Sequence, residues 1–465
     1  MIRFIDRVEE LEVLERDWKS QKNGFIVLFG RRRIGKTTLL NEFVKNKEGI
    51  RYTAEDVNKS VQITQFKNIV AGHLKDDFLL KQDISDWSSL FAYLPKVLNK
   101  NKRTYLWIDE LSYIIKNDAS VTSVLQKFSD DFLRESNVFL ILSGSLFGLM
   151  SEKVLSSSSP LYGRRTRDIL LRPIHFTFAN EFLNFNFEDL LKTNLTINGI
   201  PEYLTVASKH KNYSDFILNE FLRPEGYFFR EPIYLLSQEF KEIKTYFSIL
   251  NAIAYGNSRP TEIANFVGIQ AREIYPYLEL LINYGFVSRQ TSILGDKKRG
   301  VYHISDNFFD FWFNFVHKNR EAIERRECRI NKSELNSYLG KRFEMLIRDN
   351  LSLFFKDFEH GGRWWHNDQE IDIVALRDEK KEILFGECKW QEKVDAFDIL
   401  RKLIEKTKLV AWGGEDRRET FAIFAKSFSR KIKEFEGKNV HCFDLKDIET
   451  AFEKRRHGNN HSLFE

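Results

Sequence analysis

The chain has 465 residues, too many for one hydrophobic core, so about three domains of ordinary size are expected. With 42% hydrophobic and 30% charged residues it reads as globular, and no apolar run nears the ~20 residues of a membrane helix, so no membrane partner and a cytoplasmic location are expected. A net charge of +5 permits contact with nucleic acid without requiring it, and Cys328, Cys388 and Cys442 lack the spacing of a zinc site or a disulfide framework.

Gly24–Phe29 (GFIVLF) is a run of strand formers. It leads into Gly30-Arg31-Arg32-Arg33-Ile34-Gly35-Lys36-Thr37, and the residues from Thr38 onward (TLLNEFV) have helical periodicity. Strand, then GxxxxGK[ST], then helix is the context in which this spacing cradles nucleotide phosphates. Gly30 and Gly35 permit the turns that aim loop amides inward, and the helix N-terminus adds its positive end. Lys36 is expected on the β- and γ-phosphates and the Thr37 hydroxyl on Mg²⁺, which makes ATP and Mg²⁺ the expected cofactors.

Arg103–Ile108 is a second apolar strand, ending in Asp109-Glu110 at the tip where open α/β sheets bind ligands. Asp109 would hold the metal, and Glu110 would orient or deprotonate the attacking water. A third strand, Asn137–Leu142, ends in Ser143-Gly144-Ser145, where a polar side chain would sense the γ-phosphate or simply close a turn.

With Phe4-Ile-Asp-Arg7-Val-Glu-Glu-Leu11, GRRRIGKT, IDEL, LSGS, Pro160-Leu-Tyr-Gly-Arg164-Arg165 and Asn198-Gly199-Ile-Pro201-Glu-Tyr-Leu204 in this order, the chain resembles the archaeal-type ATPases over about residues 1–240. These belong to the AAA+-like branch of signal-transduction NTPases. The resemblance implies that Arg7 lies near the nucleotide and that Arg164 or Arg165 faces a phosphate, offsetting charge on the phosphoryl oxygens. A solvated basic loop is the other reading of that arginine pair. It further implies that Gly199 and Pro201 form an adenine-contacting turn in a helical lid. Asn198 departs from the family, which usually has another glycine there.

From Glu242 to Ser305 the pattern changes to an amphipathic helix (Ile243–Tyr255), a short helix at Thr261–Phe266 and a third over Ala271–Tyr284. Two strands follow, Phe286–Thr291 and Gly300–Ile304, around the basic tip Gly295–Gly300. Helix, helix-turn-helix and hairpin is the sequence form of a winged helix, with Pro276 awkwardly inside its third helix. DNA contact and a structural or regulatory role both stay open, because Arg272, Glu273 and Glu279 do not make a strongly basic face.

A charged linker helix is expected over Lys318–Lys332. Tyr338–Ile347 then reads as a helix carrying Glu344, followed by a strand with Glu370-Ile-Asp372 and another ending Glu387-Cys388-Lys389. Residues i and i+2 share a strand face, so Glu387 and Lys389 point the same way. Two acids and a lysine on adjacent strands suit a divalent ion and water activation for phosphodiester attack. This D…ExK arrangement with a helical Glu resembles the PD-(D/E)XK nuclease superfamily over about residues 335–450, and the domain of unknown function found behind archaeal-type ATPases. The resemblance makes Asp372 and Glu387 metal ligands, gives Lys389 the nucleophile or leaving charge, and lets Glu344 complete the metal shell. Charges that merely pair internally are the alternative. Trp364, Trp365 and Trp390 read as core residues or as base-stacking ones.

The expected whole is a multidomain α/β chain. It comprises a P-loop AAA+-like core (1–155), a helical lid (156–240), a winged helix (241–317), a linker helix (318–334) and a restriction-endonuclease-like α/β domain (335–465). An ATP-driven switch controlling a nuclease-like effector is the leading function, with DNA or RNA and self-association through the ATPase domain as expected partners. An ATP-dependent binding, scaffold or sensor protein with an inactive nuclease fold is the alternative.

Overall fold

The computed structural model describes residues 4–20, 24–99, 101–240, 242–295, 299–358, 360–414 and 416–458. They form two compact units: residues up to Ile174 together with Ile200–Tyr203, and His175–Gly199 together with the chain from Leu204 onward. Among the described residues no helix is long and apolar enough to cross a membrane.

The first unit is built on β1 (Gly24–Phe29), β2 (Gly49–Thr53), β3 (Thr104–Asp109), β4 (Val138–Gly144) and β5 (Arg167–Leu170). They lie in the order β2-β3-β4-β1-β5, all parallel. Every residue of β1 and β4 is buried, which is why both read as unbroken apolar runs: a parallel sheet is covered on both faces. β4 separates β1 from β3, so the Gly30 loop and the Asp109-Glu110 tip meet across the end of β4. The boundary expected at residue 155 stops short of β5, a four-residue strand with one buried side chain and therefore little sequence signal.

The division cuts through the expected lid, of which residues 156–174 and Ile200–Tyr203 stay with the first unit and the rest falls in the second. The helix Phe187–Ile197 is tied to the C-terminal region: Tyr338 Oη donates to the carbonyls of Leu195 (3.2 Å) and Asn307 (3.0 Å). Helices Ile243–Ala254, Pro260–Val267 and Ile274–Asn283 precede an antiparallel hairpin of β6 (Val287–Gln290) and β7 (Val301–Ile304). The third helix starts at Ile274, later than expected, so Pro276 falls in its first turn, where amides have no intrahelical acceptor to lose. Asp296–Lys298 of the basic tip lie outside the described residues. No single linker helix forms: a short helix ends at Glu324, Arg326 turns left-handed (φ 61°), and Asn331 caps the next helix, Lys332–Asp349.

Beyond it comes a six-stranded mixed sheet made from β8 (His360–His366), β9 (Gln369–Arg377), β10 (Glu382–Lys389), β12 (Arg418–Ala425), β14 (Glu434–Phe435) and β15 (Lys438–Phe443). Its order is β14-β15-β12-β10-β9-β8, while β11 (Val394–Asp395) and β13 (Phe428–Arg430) pair separately. β8, β9 and β10 run antiparallel, and the helix Ala396–Thr407 crosses over to bring β12 parallel to β10. Between the pairs Gly362–Val374 and Trp364–Ile371 the register slips, leaving Asp372 and Ile373 opposite Arg363 alone. Asp372 therefore sits in a bulge, a feature that re-aims a side chain.

Arg342 is buried and ion-paired with Asp310. Arg342→Met alone should destabilise this unit by about 3 kcal/mol, because it strands a carboxylate, whereas Arg342→Met with Asp310→Leu should recover most of that loss. Urea unfolding of the two variants checks this.

Candidate functional site

Gly30 (φ 153°) and Gly35 (φ 94°) both use backbone regions that side chains avoid, and a Cβ on Gly30 would lie 2.6 Å from the Leu171 carbonyl oxygen. Between them Arg31, Arg32, Arg33 and Ile34 form the turn, with Arg33 also left-handed (φ 70°). Gly35 caps the helix Lys36–Val44, whose first turn holds Thr37 and Thr38. Lys36 is buried, and its ammonium donates to the carbonyls of Gly30 (2.9 Å) and Arg31 (3.1 Å), which puts the charge inside the loop. Arg7 is buried as well and donates to the carbonyls of Ile34 (3.3 Å) and Arg172 (2.5 Å), bracing the loop from outside. Pro201 lies beside Gly35, and Glu202 pairs with Arg33 (2.6 Å). Gly199 is buried in the other unit; next to it Asn198 adopts φ 56°, ψ −164°, a conformation that explains a preference for glycine there.

Asp109 is 1% exposed and is held by many groups. Its Oδ1 accepts from Ser143 Oγ (2.6 Å) and the Glu110 amide (3.2 Å); its Oδ2 accepts from Thr37 Oγ1 (3.2 Å) and Arg51 Nη2 (3.1 Å). Trp107 Nε1 donates to Ser143 Oγ (2.8 Å), so the serine is itself oriented. Glu110 is left-handed (φ 54°), and its carboxylate accepts from Ser145 Oγ (2.6 Å). The two serines at the end of β4 thus aim the two acids at the end of β3. Arg51, stacked 4.1 Å over the Trp107 ring, carried no sequence signal, since it stands mid-strand in β2.

Arg164 and Arg165 are both ion-paired within the first unit. Arg164 forms a two-pronged pair with Asp130 (2.8–3.1 Å), and Arg165 pairs with Asp168 (2.9 Å) and donates to the Leu155 carbonyl (3.2 Å). Their bonds are spent on tying down the Pro160–Arg165 segment. This constellation of glycine turns, buried lysine, threonine and buried aspartate fits a nucleoside triphosphate with Mg²⁺.

In the second unit, Lys389 Nζ lies 2.6 Å from Glu387 Oε2 and 3.8 Å from Asp372 Oδ2. Lys406 Nζ, from the helix after β10, takes the other oxygen of Glu387 (2.6 Å). Asp372 Oδ2 also accepts from the Cys388 amide (2.9 Å), and Arg348 Nη1 donates to the Asp372 carbonyl (2.8 Å) at the bulge. Burial, then the neighbouring charges of Glu387 and Glu344, push Asp372 up to about 8. Glu344 is also raised, chiefly by burial. Burial would raise Glu387 too, but Lys389 and Lys406 outweigh it and hold its acidity below the ordinary carboxylate value. Those same carboxylates hold Lys389 above its ordinary value in spite of burial.

Among the described residues no three His, Cys, Asp or Glu side chains converge as a metal cage. Lys406 and Arg348 escaped sequence reading because they sit on helices whose charges otherwise read as solvated faces. Trp364 and Trp390 are buried, whereas Trp365 is half-exposed.

Residues 4–202 match the family described as an ATPase domain predominantly from Archaea, and residues 312–400 match one described as "Archaea bacterial proteins of unknown function". The first unit is thus built on an ATPase domain of the P-loop class. A Walker-type ATPase of Pyrococcus abyssi has a similar fold, with a TM-score of 0.50 at 20% identity over 67% of this chain and 96% of that one. An uncharacterized protein of Methanocaldococcus jannaschii is 36% identical over 459 residues, 96% of this chain and 100% of its own length. The chain belongs to the family of that archaeal protein. An uncharacterized ATP-binding protein of the same organism is 50% identical over 48 residues, 10% of this chain and 81% of its own.

Lys36→Ala should weaken ATP binding at least tenfold, about 1.4 kcal/mol, while Glu110→Gln should leave binding intact and lower turnover by ~10². Titration with a fluorescent ATP analogue and a phosphate-release assay separate the two effects. A second expectation concerns pH. The folded state keeps the Asp372 proton from about pH 4 to about 8, whereas the unfolded chain, with its ordinary value of 3.8, releases it. Stability should therefore fall as pH rises through that window. In metal-free urea melts, Asp372→Asn should lessen the fall by at least about 1.4 kcal/mol, the worth of one pKa unit.

Proposed function

We propose that the chain is an ATP-hydrolysing switch that controls a metal-dependent nucleic-acid-cleaving site in its C-terminal unit. The observation that carries the second half is the Lys389 ammonium set between Glu387 and Asp372 on neighbouring strands. In this reading Gly30 to Thr38 surround the ATP phosphates, Lys36 offsets their charge, and Thr37 with Asp109 holds Mg²⁺. Bound there, the ion supplies charge neutralisation on the phosphates. Glu110, aimed by Ser145, accepts a proton from water or orients it. Arg7 shapes the loop, and Pro201, next to Gly35, is suited to an adenine. Using Arg164 or Arg165 at a phosphate would require breaking their pairs with Asp130 or Asp168. Self-association through this domain would be one way to do that.

In the second unit Asp372 and Glu387 would hold a divalent ion, which activates water when bound. Lys389 would stabilise charge on the scissile phosphate, and Glu344 would tune Asp372 by its own charge. The three helices and hairpin of residues 243–304 support the winged-helix reading, with DNA or RNA as partner. The C-terminal sheet, antiparallel through β8–β10 and parallel through β10, β12 and β15, supports the nuclease-like reading.

A rival reading has its own observation. Both oxygens of Glu387 are occupied by lysines, so the acid is neutralised internally and the unit could hold nucleic acid without cutting it. Incubating the full chain with labelled single- and double-stranded DNA and RNA, with Mg²⁺ or Mn²⁺ and with or without ATP, decides between them. Cleavage should occur and should vanish in Asp372→Ala while ATP hydrolysis persists. Wild-type protein that cuts nothing under any of these conditions is the outcome that ends the cleavage reading.

A further inference from the structure

The helix–hairpin module and the mixed sheet are stitched together within the second unit. Ile293 N donates to the Arg363 carbonyl (2.9 Å), and Ser292 Oγ accepts from Trp365 N (2.9 Å) and donates to the Trp365 carbonyl (3.1 Å). The chain just after β6 is thereby fixed alongside β8. Between the hairpin, the helix Lys332–Asp349 and the β8–β9 turn lies a cleft of ≈ 960 Å³. Glu344 lines it, and the acidity of Glu344 answers both to the cleft residues Arg363 and Arg348 and to Lys389. Of the acids read with Asp372 and Glu387, Glu344 is the one that lines this cleft.

Its lining mixes aromatic rings with cations and acids. Alternation along β8 turns Trp364 into the core and puts Arg363 and Trp365 on the opposite side, where both line the cleft. The half-exposed Trp365 indole has the Arg363 guanidinium 6.0 Å from its ring. Arg342 and Arg363 are paired with Asp310 and Glu370, and Glu334 and Asp368 add negative charge to the rim. Against these, Arg348 bonds the neutral carbonyl of Asp372, and Lys341 is exposed at the cleft. The wall residue His303 senses the local sign: burial, then Arg342, Arg348 and Arg363, draw it down to about 4.

We propose that this cleft receives a single strand of nucleic acid, stacking a base on Trp365 and seating phosphates against Arg348, Arg363 and Lys341. The inference rests on the reading above for the chemistry at Asp372 and Glu387, but not for binding. An unpaired base offers the face that an indole stacks on, worth about tenfold or more in affinity. A duplex hides those faces, and the cleft volume is near the upper end of the roughly 300–1,000 Å³ that holds small ligands. With about three phosphates met by cations, log K should fall with log salt at a slope of roughly −2.

The test uses the full chain, fluorescein-labelled dT12 and U12, and a blunt hairpin duplex, with anisotropy read in EDTA so that nothing is cut. Both single strands should bind at least tenfold more tightly than the duplex. Trp365→Ala and Lys341→Glu should each weaken dT12 about tenfold with ATP hydrolysis unchanged. Equal or tighter duplex binding, or dT12 affinity unmoved in both variants, overturns the proposal. Photo-crosslinking of 5-iodouracil-substituted dT12 to the wild type avoids any folding defect: an adduct on the Trp365 peptide supports the cleft, and adducts only elsewhere overturn it. Single-strand binding without cutting when Mn²⁺ is restored fails the cleavage reading alone. Cutting that persists with affinities unmoved by the variants fails the cleft alone.

Discussion

A carboxylate taken out of water must be given donors or a cation, and the nucleotide-binding unit is organised around one such group. Asp109 is buried at the end of β3, yet it serves the loop after β1, with β4 intervening. The strand order makes Ser143, at the end of β4, the natural link: it receives from Trp107 and donates to Asp109. Thr37 and Arg51 close the remaining positions. Hydrogen bonds to a charged group contribute more than neutral ones, roughly 1.5–3 kcal/mol each. This network thus holds the acid oriented before any nucleotide arrives, and the same logic extends to Glu110 through Ser145.

The second unit solves the same problem with cations. Two acids on neighbouring strands repel, and the structure answers with Lys389 between them and Lys406 behind Glu387. The cations are not shared evenly. Glu387 receives both lysines and stays ionised, whereas Asp372 has the more distant contact with Lys389 and one amide, and its acidity is weakened. Paired acids whose proton affinities are driven apart are a mark of functional sites, though structural ion-pair networks share it.

Between these two sites the chain passes through Asn198 and Gly199. Residues 200–203 belong to the ATPase unit, where Glu202 meets Arg33 of the loop. The preceding helix belongs to the other unit, where its Leu195 carbonyl accepts from Tyr338 on the helix that carries Glu344.

The P-loop, the β3 and β4 strands and their acids and serines were legible in the sequence because local patterns specify them: a glycine spacing, unbroken apolar runs and the polar residues that end them. The D…ExK strands and the helical Glu344 were legible for the same reason. What the sequence could not convey was every feature set by residues far apart in the chain. β5 is too short to announce itself and exists because β1 offers it an open edge. The bulge at Asp372 arises from how β8 and β9 register, and Arg51, Lys406 and Arg348 acquire roles only from the acids they meet. Trp364 and Trp365 are neighbours of identical type, and only the pleat of β8 sends one into the core and the other to a cleft. Sequence determines which groups carry chemistry where spacing alone brings them together. Tertiary structure decides which charges neutralise one another, because the energy of a buried charge depends on partners that local pattern does not record.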